Sequence, residues 1–287
     1  MKIFKITVIY AVNHFKKELK EFYYSSEIEQ MLYIVFLHYF NLNRIDLTLS
    51  KNHHLLEQDF NKITKVIDEL KQHKPLAHII GEWEFYGINL KINRHTLIPR
   101  QETEELVQMI INDNNNEEQL FILDIGTGTG CIALALKKNL PQANVHAFDV
   151  SWDALEIAIE NAKRNELTVT FKNVDILKWK SQNEKYNVIV SNPPYITKKE
   201  KHLMAKNILD YEPHLALFVE NGESMLFYDA IAEYALRHLK RNGKLYFEIN
   251  ENYRNDVMGL LKDKKFKNIN IVKDINGKDR IVSCNLD

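Results

Sequence analysis

The sequence is poor in cysteine and carries almost no net charge. Its 287 residues include two cysteines, Cys131 and Cys284, which lie far apart in the chain, so two buried, reduced thiols are expected rather than a disulfide scaffold. The eleven histidines are scattered, and no Cys/His cluster has metal-site spacing, so no metal is predicted. A formal net charge of −1 gives no sign of nonspecific attraction to nucleic acid.

The sequence also lacks a long apolar run and a secretory signal. Its most apolar stretch, Met31 to Phe40, is about half of the roughly 20 residues that a membrane span needs. The opening run, Met1 to Val12, has no small-residue cleavage site and leads directly into the charged Lys16-Lys17-Glu18. We therefore expect a cytoplasmic protein with no membrane contact.

The length and patterning predict two domains joined by a short linker. Residues 1–73 are expected to form a small helical bundle, because apolar residues such as Leu56, Phe60 and Ile63 recur there at helical spacing. Lys74-Pro75 ends that pattern, and residues 74–100 are aromatic and β-rich around Gly87, which predicts a β-hairpin linker. Residues 101–287 form the remaining domain.

Strands and helices alternate from residue 120 onward, which predicts an α/β fold with a mostly parallel sheet covered by helices on both faces. The last two predicted strands have only Asp274 to Asp279 between them, too short for a crossover helix, so they should pair antiparallel at an edge. The expected strands are Leu120–Asp124, Asn144–Asp149, Thr168–Asn173, Tyr186–Ser191, Lys244–Ile249, Asn268–Lys273 and Arg280–Cys284.

A glycine-rich turn follows the first of these strands, in the run Asp124-Ile125-Gly126-Thr127-Gly128-Thr129-Gly130. Such a turn could hold a dinucleotide or S-adenosylmethionine, or be a plain tight turn. Asp149, about twenty residues on, could bind a ribose in either ligand. A carboxylate at Asp124 would repel a pyrophosphate but could meet an amino group, which favours S-adenosylmethionine.

The run Asn192-Pro193-Pro194-Tyr195 directly after the strand Val188 to Ser191 is the strongest signal in the chain. Two prolines fix the backbone and remove two N–H donors, leaving carbonyl oxygens and the Asn192 amide to accept hydrogen bonds from one –NH₂ group. Tyr195 offers a flat face for a planar group. Acceptors on both N–H bonds aim the nitrogen lone pair at a methyl donor, so positioning does most of the work and no dedicated base is required.

Together these residues resemble the protein-(glutamine-N5) group of class I methyltransferases, which modify peptide chain release factors. Further similar segments are Gly81 to Gly87, Leu97 to Glu104, Tyr211 to Leu217 and Asp279 to Val282. The resemblance covers nearly the whole chain. It implies a Rossmann-like, seven-stranded, mostly parallel sheet with an antiparallel edge strand, preceded by a helical substrate-recognition domain and the hairpin linker.

The resemblance also implies a substrate and residue roles. The substrate would be the glutamine of the Gly-Gly-Gln loop of a class I release factor, methylated from S-adenosylmethionine. The cofactor would be bound by Gly126, Thr127, Gly128, Thr129, Gly130, Asp149, Asp175, Ile176 and Asn192. The glutamine amide would be held by Asn192, Pro193 and Pro194, with Tyr195 packing on it, so that Asn192, Pro193 and Tyr195 are the catalytic candidates. Phe85 and Arg100 would complete the pocket wall; otherwise Phe85 is hairpin core and Arg100 pairs with a surface acid.

The sequence departs from the family pattern at two places, and one alternative substrate class stays open. Gln101 stands where the family usually has proline, and Glu248 to Tyr253 lack its usual glycine and glutamine, which leaves any role of that turn in doubt. The Asn-Pro-Pro-Tyr run is shared with methyltransferases acting on exocyclic amines of DNA or RNA bases. Such an enzyme would need a basic face around its pocket, and the near-neutral net charge gives no sign of one. We therefore expect a monomer that acts on release factors without binding DNA directly.

Overall fold

The computed structural model describes residues 6–115, 117, 119–179, 183–197, 201–202, 204–220 and 223–286. Their contacts divide into two compact units. A helical unit contains the described residues up to Gly81 together with Lys206–Tyr211. A sheet unit contains the described residues from Glu82 to Ala205 and from Glu212 onward. Each unit closes around its own cluster of buried apolar side chains.

The described residues form twelve α-helices, five of them at the start of the helical unit. The bounds are α1 Val8–Leu19, α2 Ser25–Phe40, α3 Arg44–Leu49, α4 Glu57–Lys71, α5 Leu76–Ile80, α6 Gln101–Asn114, α7 Cys131–Asn139, α8 Trp152–Arg164, α9 Lys206–Tyr211, α10 His214–Leu217, α11 Leu226–His238 and α12 Arg254–Asp263. The predicted apolar stripe of α4 is buried at Ile63, Val66, Ile67 and Leu70. Within the described part of the chain, every helix is too short or too polar to span a lipid bilayer.

Thirteen strands accompany these helices among the described residues. Their bounds are β1 Ile6–Thr7, β2 His54–Leu55, β3 Glu82–Phe85, β4 Ile88–Lys91, β5 Phe121–Ile125, β6 Asn144–Asp149, β7 Thr170–Asn173, β8 Tyr186–Ser191, β9 Ile196–Thr197, β10 Phe218–Val219, β11 Leu239–Glu248, β12 Lys267–Lys273 and β13 Asp279–Asn285. Seven of them form one sheet in the order β12-β13-β11-β8-β5-β6-β7. The remaining strands pair as β1 with β2, β3 with β4, and β9 with β10.

The large sheet is the predicted α/β sheet, with strands β5, β6, β7, β8 and β11 parallel to one another. The last two strands pair antiparallel, as the short connection between them predicts, and β13 lies between β12 and β11. From the centre of the sheet, strands β5, β6 and β7 follow one another toward one edge, and strands β8 and β11 follow one another toward the other edge. The order therefore reverses between β5 and β8, where ligands of such sheets bind outside the carboxyl ends of the strands.

The hairpin of β3 and β4 turns at Tyr86-Gly87, whose φ angles are +48° and +70°. Two successive positive φ angles are the signature of a type I′ turn, which suits the twist of a two-residue hairpin and explains the glycine. The backbone of Lys91 in β4 exchanges hydrogen bonds with the side chain of Asn161 in α8, at 2.6 and 3.2 Å. Lys138 of α7 donates to the carbonyl oxygen of Gly87. The hairpin thus lies within the sheet unit.

Candidate functional site

The glycine-rich turn connects β5 to α7 through three left-handed residues. Gly126, Gly128 and Gly130 have φ angles of +76°, +56° and +82°, a region that side chains rarely adopt. Apart from its chain neighbours, a Cβ atom on Gly126 or Gly128 would meet no atom of the described residues within 4 Å, whereas one on Gly130 would lie 3.2 Å from side-chain carbons of Ala158 and Leu134. The first two glycines therefore leave open space, and the third allows close packing of helices.

A cavity of about 320 Å³ lies at the carboxyl ends of the central strands. It falls at the point where the strand order reverses, and its volume is that of a small-molecule site. Eight of the residues that the sequence predicts for the site line it. They are Gly126, Gly128, Asp149, Asp175, Ile176, Asn192, Pro193 and Pro194. The structure thus brings the ends of β5, β6 and β8 and the segment after β7 to one cavity.

Asp149 ends β6 and links two walls of this cavity. Its Oδ2 accepts a hydrogen bond from the backbone N of Gly128 at 2.9 Å, and its Oδ1 accepts one from the backbone N of Ser151 at 2.9 Å. Burial raises the pKa of Asp149, while these backbone donors favour the ionised form. The carboxylate therefore fixes the glycine-rich turn relative to the start of α8.

The segment after β7 contributes an apolar wall. Ile176 is buried and lines the cavity together with Val150 and Val174. The neighbouring Asp175 accepts a hydrogen bond from the backbone N of Leu177 at 3.0 Å and pairs with Lys178 at 3.2 Å. The wall can therefore pack against a flat, largely apolar group, while Asp175 stabilises the turn that presents it.

The run after β8 is anchored beside the glycine-rich turn. Ser191 pairs with Ile125 across the two strands, and its hydroxyl donates to the carbonyl oxygen of Ile125 at 2.6 Å. Asn192 is half-buried, and its Nδ2 donates to Oγ1 of Thr103 at 3.4 Å. The prolines that follow have no N–H, so the backbone of this run offers only acceptors at their positions.

The predicted residues Thr127, Thr129, Gly130 and Tyr195 are not among the described residues that line the cavity. Thr127 and Thr129 are buried inside the turn. Tyr195 packs against the apolar core of the sheet unit. Burial, reinforced by Glu248, raises the pKa of Tyr195 to about 12. The side chains of Thr127, Thr129 and Tyr195 therefore contribute to the packing of the segments that border the cavity.

Asp124 lies under the glycine-rich turn and is fully buried. Its Oδ2 accepts a hydrogen bond from the hydroxyl of Thr127 at 2.6 Å. Burial raises the pKa of Asp124 to about 7, although the Thr127 hydrogen bond favours the ionised form. The residue therefore acts within the structure of the turn and lies outside the described cavity lining.

Phe85 and Arg100 are also not among the described residues that line the cavity. Phe85 is 1% exposed and belongs to the hydrophobic side of the hairpin, because its neighbours across the turn, Ile88 and Leu90, are also buried. Arg100 pairs through Nη2 with Oε1 of Glu212 at 2.5 Å. The acid that it meets is buried, not a surface group.

Several lining residues were not assigned from the sequence. Leu97, Pro213, Leu215 and Ala216 belong to the family-like segments Leu97 to Glu104 and Tyr211 to Leu217, and Thr96 directly precedes the first of them. Phe227 and Ile231 of α11 also line the cavity. Among the described residues, no group of three or more His, Cys, Asp or Glu side chains is placed to hold a metal ion.

The chain is similar to methyltransferases at the level of families and of individual proteins. A family model described as Methyltransferase small domain matches residues 101–224, and one described as PrmC N-terminal domain matches residues 11–81. The release factor glutamine methyltransferase of Flavobacterium psychrophilum is 46% identical over 274 residues, which cover 94% of this chain and 96% of that protein. The one of Bacteroides thetaiotaomicron is 38% identical over 273 residues, covering 95% and 98%.

A solved structure shows the same fold at low sequence identity. The catalytic domain of hMettl16 in complex with a MAT2A 3'UTR hairpin aligns with a TM-score of 0.57 and 15% identity, covering 90% of each chain. That likeness supports the architecture of a methyltransferase sheet and nothing finer. The two curated relatives cover nearly the entire chain at higher identity, and they confirm the resemblance drawn from the glycine-rich turn and the Asn-Pro-Pro-Tyr run. The chain belongs to the release factor glutamine methyltransferase family.

Proposed function

We propose that this protein transfers a methyl group from S-adenosylmethionine to the side-chain amide nitrogen, N5, of the glutamine in the Gly-Gly-Gln motif of class I peptide chain release factors, and thereby tunes translation termination. One observation carries the proposal: Asn192, Pro193 and Pro194 line the same cavity as Gly126, Gly128 and Asp149. An acceptor set for an –NH₂ group therefore borders a space suited to the methyl donor.

The residues of the cavity fit S-adenosylmethionine. The Cβ positions of Gly126 and Gly128 point into open space, which side chains would fill, so backbone can approach a ligand there. The Asp149 carboxylate at the end of β6 suits the hydroxyls of a ribose, and the wall of Val150, Val174 and Ile176 suits an adenine ring. When bound, this cofactor supplies a methyl group activated by a positively charged sulfonium.

The acceptor side of the cavity explains how a glutamine amide could react. The lone pair of an amide nitrogen is delocalised into the carbonyl group, so the nitrogen is a poor nucleophile. The Oδ1 atom of Asn192 and a proline carbonyl oxygen can each accept one N–H bond of the substrate amide. Their hydrogen bonds hold the nitrogen in position and stabilise the positive charge that develops on it. The proton that is lost can pass to water, so no side chain is assigned as a base.

We assign the remaining residues to supporting roles. Thr127, Thr129 and Gly130 shape the turn, and Tyr195 supports the Asn-Pro-Pro segment from the core side. The predicted helical domain, residues 1–73, is proposed to contact the body of the release factor, with residues 74–100 as the linker and residues 101–287 as the catalytic domain. We propose a cytoplasmic monomer, consistent with a modifier of translation factors, with no direct contact to DNA.

The test is transfer of labelled methyl from S-adenosylmethionine by the full-length chain. Four acceptors are compared: a recombinant class I release factor, the same factor with the Gly-Gly-Gln glutamine replaced, duplex DNA and structured RNA. Label on the intact factor alone supports the proposal and identifies the residue. Label on DNA or RNA would instead favour a base-amino methyltransferase. Label on the factor that lacks this glutamine would show that another residue of the factor is methylated.

A further inference from the structure

A buried carboxylate lies behind the proposed catalytic asparagine. Glu248 ends β11 and is 3% exposed, although it lies outside the described cavity lining. Its Oε2 accepts a hydrogen bond from the hydroxyl of Thr103 in α6 at 2.6 Å. The Oγ1 of Thr103 in turn accepts from Nδ2 of Asn192 at 3.4 Å. The three side chains form a chain of hydrogen bonds from the sheet interior to the cavity.

The direction of this chain follows from what each group can donate. An ionised carboxylate only accepts hydrogen bonds, so Thr103 must use its single hydroxyl proton on Glu248. The lone pairs that remain on Oγ1 can then bind only a donor, and the donor that Asn192 offers is Nδ2. An amide that presents nitrogen to Thr103 has its oxygen, Oδ1, left for another partner. Substrate N–H groups require that oxygen.

The surroundings of Glu248 balance burial against charge. Burial and the nearby Glu102 raise its pKa to about 7, whereas the hydrogen bond from Thr103, the Arg280 guanidinium and a side-chain hydrogen bond from Asn192 favour ionisation. Tyr195, Tyr228 and Cys131 also lie within its electrostatic reach. Arg280 is held by Asp274 and by the carbonyl oxygen of Ile249. These contacts hold the Arg280 guanidinium near Glu248, where it stabilises the ionised carboxylate.

We propose that Glu248, acting through Thr103 and through its own contact with Asn192, is a positioning residue that orients the amide of Asn192 with Nδ2 toward Thr103 and Glu248 and Oδ1 toward the substrate amide. The inference rests on the proposed function, because only an –NH₂ substrate needs this orientation. In a Glu248→Gln variant the new amide can donate to Thr103. Thr103 can then donate to Oδ1 of Asn192, which favours the reversed amide. Nδ2 of Asn192 would then face the N–H groups of the substrate amide, and no hydrogen bond could form between them.

Kinetics at about pH 8, where Glu248 is ionised, provide the first test. Thr103→Val and Glu248→Gln should each lower kcat about 100-fold, the effect of losing alignment, with S-adenosylmethionine affinity and KM within twofold of wild type. The double variant should be no worse than Glu248→Gln alone, because the effect of Thr103 on Asn192 depends on the Glu248 carboxylate. Thr103→Ser, which restores the hydroxyl, should recover activity to within a few-fold. Asp113→Asn is the matched control, because the Asp113 carboxylate binds Tyr246 and Lys244 rather than Thr103. Its kcat should stay near the wild-type value.

Selective ¹⁵N labelling of asparagine tests the same chain without any acceptor. The side-chain NH₂ signals of Asn192, identified by their loss in Asn192→Asp, should shift in Thr103→Val and Glu248→Gln and stay unchanged in Asp113→Asn. Unmoved Asn192 signals would overturn the inference, as would multiplicative losses in the double variant or a Thr103→Ser variant as poor as Thr103→Val. A wild-type enzyme that leaves the release factor unlabelled would refute the proposed function, while the signals would still decide the orientation.

Discussion

Arg100 donates from Nη2 to Oε1 of Glu212 at 2.5 Å, and the other oxygen of that carboxylate accepts from the backbone N of Ile98 at 3.2 Å. The side chain of Glu212 is 1% exposed, whereas that of Arg100 is 36% exposed. The segments joined in this way place Thr96 and Leu97 on the cavity, together with Pro213, Leu215 and Ala216. This ion pair therefore fixes two cavity walls far apart in the chain.

Replacing Arg100 by alanine should leave Glu212 buried without its cation. Breaking a buried ion pair from one side costs about 3–5 kcal/mol, and the partial exposure of Arg100 places the expected loss of unfolding free energy at the lower end, about 3 kcal/mol. Affinity for S-adenosylmethionine should fall as well, because both attached walls loosen. Urea unfolding and calorimetric titration measure the two effects.

Arg164→Ala is the matched control for that change. Arg164 pairs with Glu82 between two partly exposed side chains, and such pairs contribute less than about 1 kcal/mol. Equal destabilisation by Arg100→Ala and Arg164→Ala would show that the Glu212 pair has no special structural role.

Asn192→Ala removes the side-chain acceptor that we assign to the substrate amide. Loss of one such hydrogen bond in a transition state lowers kcat about 100- to 1000-fold. Affinity for S-adenosylmethionine should be largely kept, as measured by titration beside single-turnover transfer. Asn139→Ala, at the end of α7, removes an amide that bonds only its own helix and should leave kcat unchanged. A parallel loss of cofactor affinity and kcat in Asn192→Ala would assign the residue to the cofactor or the fold instead.

Gly128→Ala tests whether the glycine-rich turn is shaped for a ligand. An alanine there would have to adopt a φ near +56° and would occupy open space, because no atom of the described residues beyond its chain neighbours lies within 4 Å of its Cβ. We expect S-adenosylmethionine affinity to fall at least tenfold, about 1.4 kcal/mol. Gly259→Ala, in helix α12 and equally free of contacts, should instead gain about 0.4–1 kcal/mol of stability. Unchanged affinity in Gly128→Ala would separate this turn from cofactor binding.

The buried Asp124 should make ligand-free protein less stable as pH rises. Its pKa is about 7 in the folded protein against 3.8 in a model peptide, so the folded state binds the proton more tightly. The contribution of Asp124 to the unfolding free energy therefore falls between about pH 4 and 7. The difference between wild type and Asp124→Asn, from urea unfolding at each pH, should decline across that window.

Asp274 should behave in the opposite way and serves as the control. Backbone hydrogen bonding from Lys278 and the neighbouring Arg280 hold its pKa below 3.8. Its stabilising contribution is present above the unfolded pKa and is lost only in acid. The wild-type difference from Asp274→Asn should thus be flat from about pH 5 to 8. A flat profile for Asp124→Asn too would refute the raised pKa of Asp124.

The sequence predicted the sheet and the main cavity walls because both depend on local patterns. Apolar runs such as Tyr186–Ser191 gave strand positions, and parallel strands bring their carboxyl ends to one edge, so Gly126, Asp149 and Asn192 had to meet. Side-chain pairs between distant segments left no such pattern. Neither the partner of Arg100, Glu212, nor the Thr103 hydroxyl on Glu248 could be inferred, because such pairs depend on how helices and loops pack. The position of Phe85 could not be predicted for the same reason, because an aromatic residue beside a motif is compatible with a cavity wall and with the hydrophobic core.

Two exposed apolar side chains on the helical unit should contribute to binding of the release factor. Ile45 and Leu49 lie four residues apart on α3 and are 70% and 75% exposed. Neighbouring exposed apolar groups of this kind are typical of interaction surfaces. If the helical unit contacts the body of the factor, Ile45→Ser with Leu49→Ser should raise KM for the intact factor about tenfold, or about 1.4 kcal/mol. Activity on a short Gly-Gly-Gln peptide and affinity for S-adenosylmethionine should not change. Ile275→Ser, which alters an 88% exposed residue of the sheet unit, is the control. A KM unaffected by the double substitution would remove α3 from the recognition surface and leave other exposed faces of the unit to be tested.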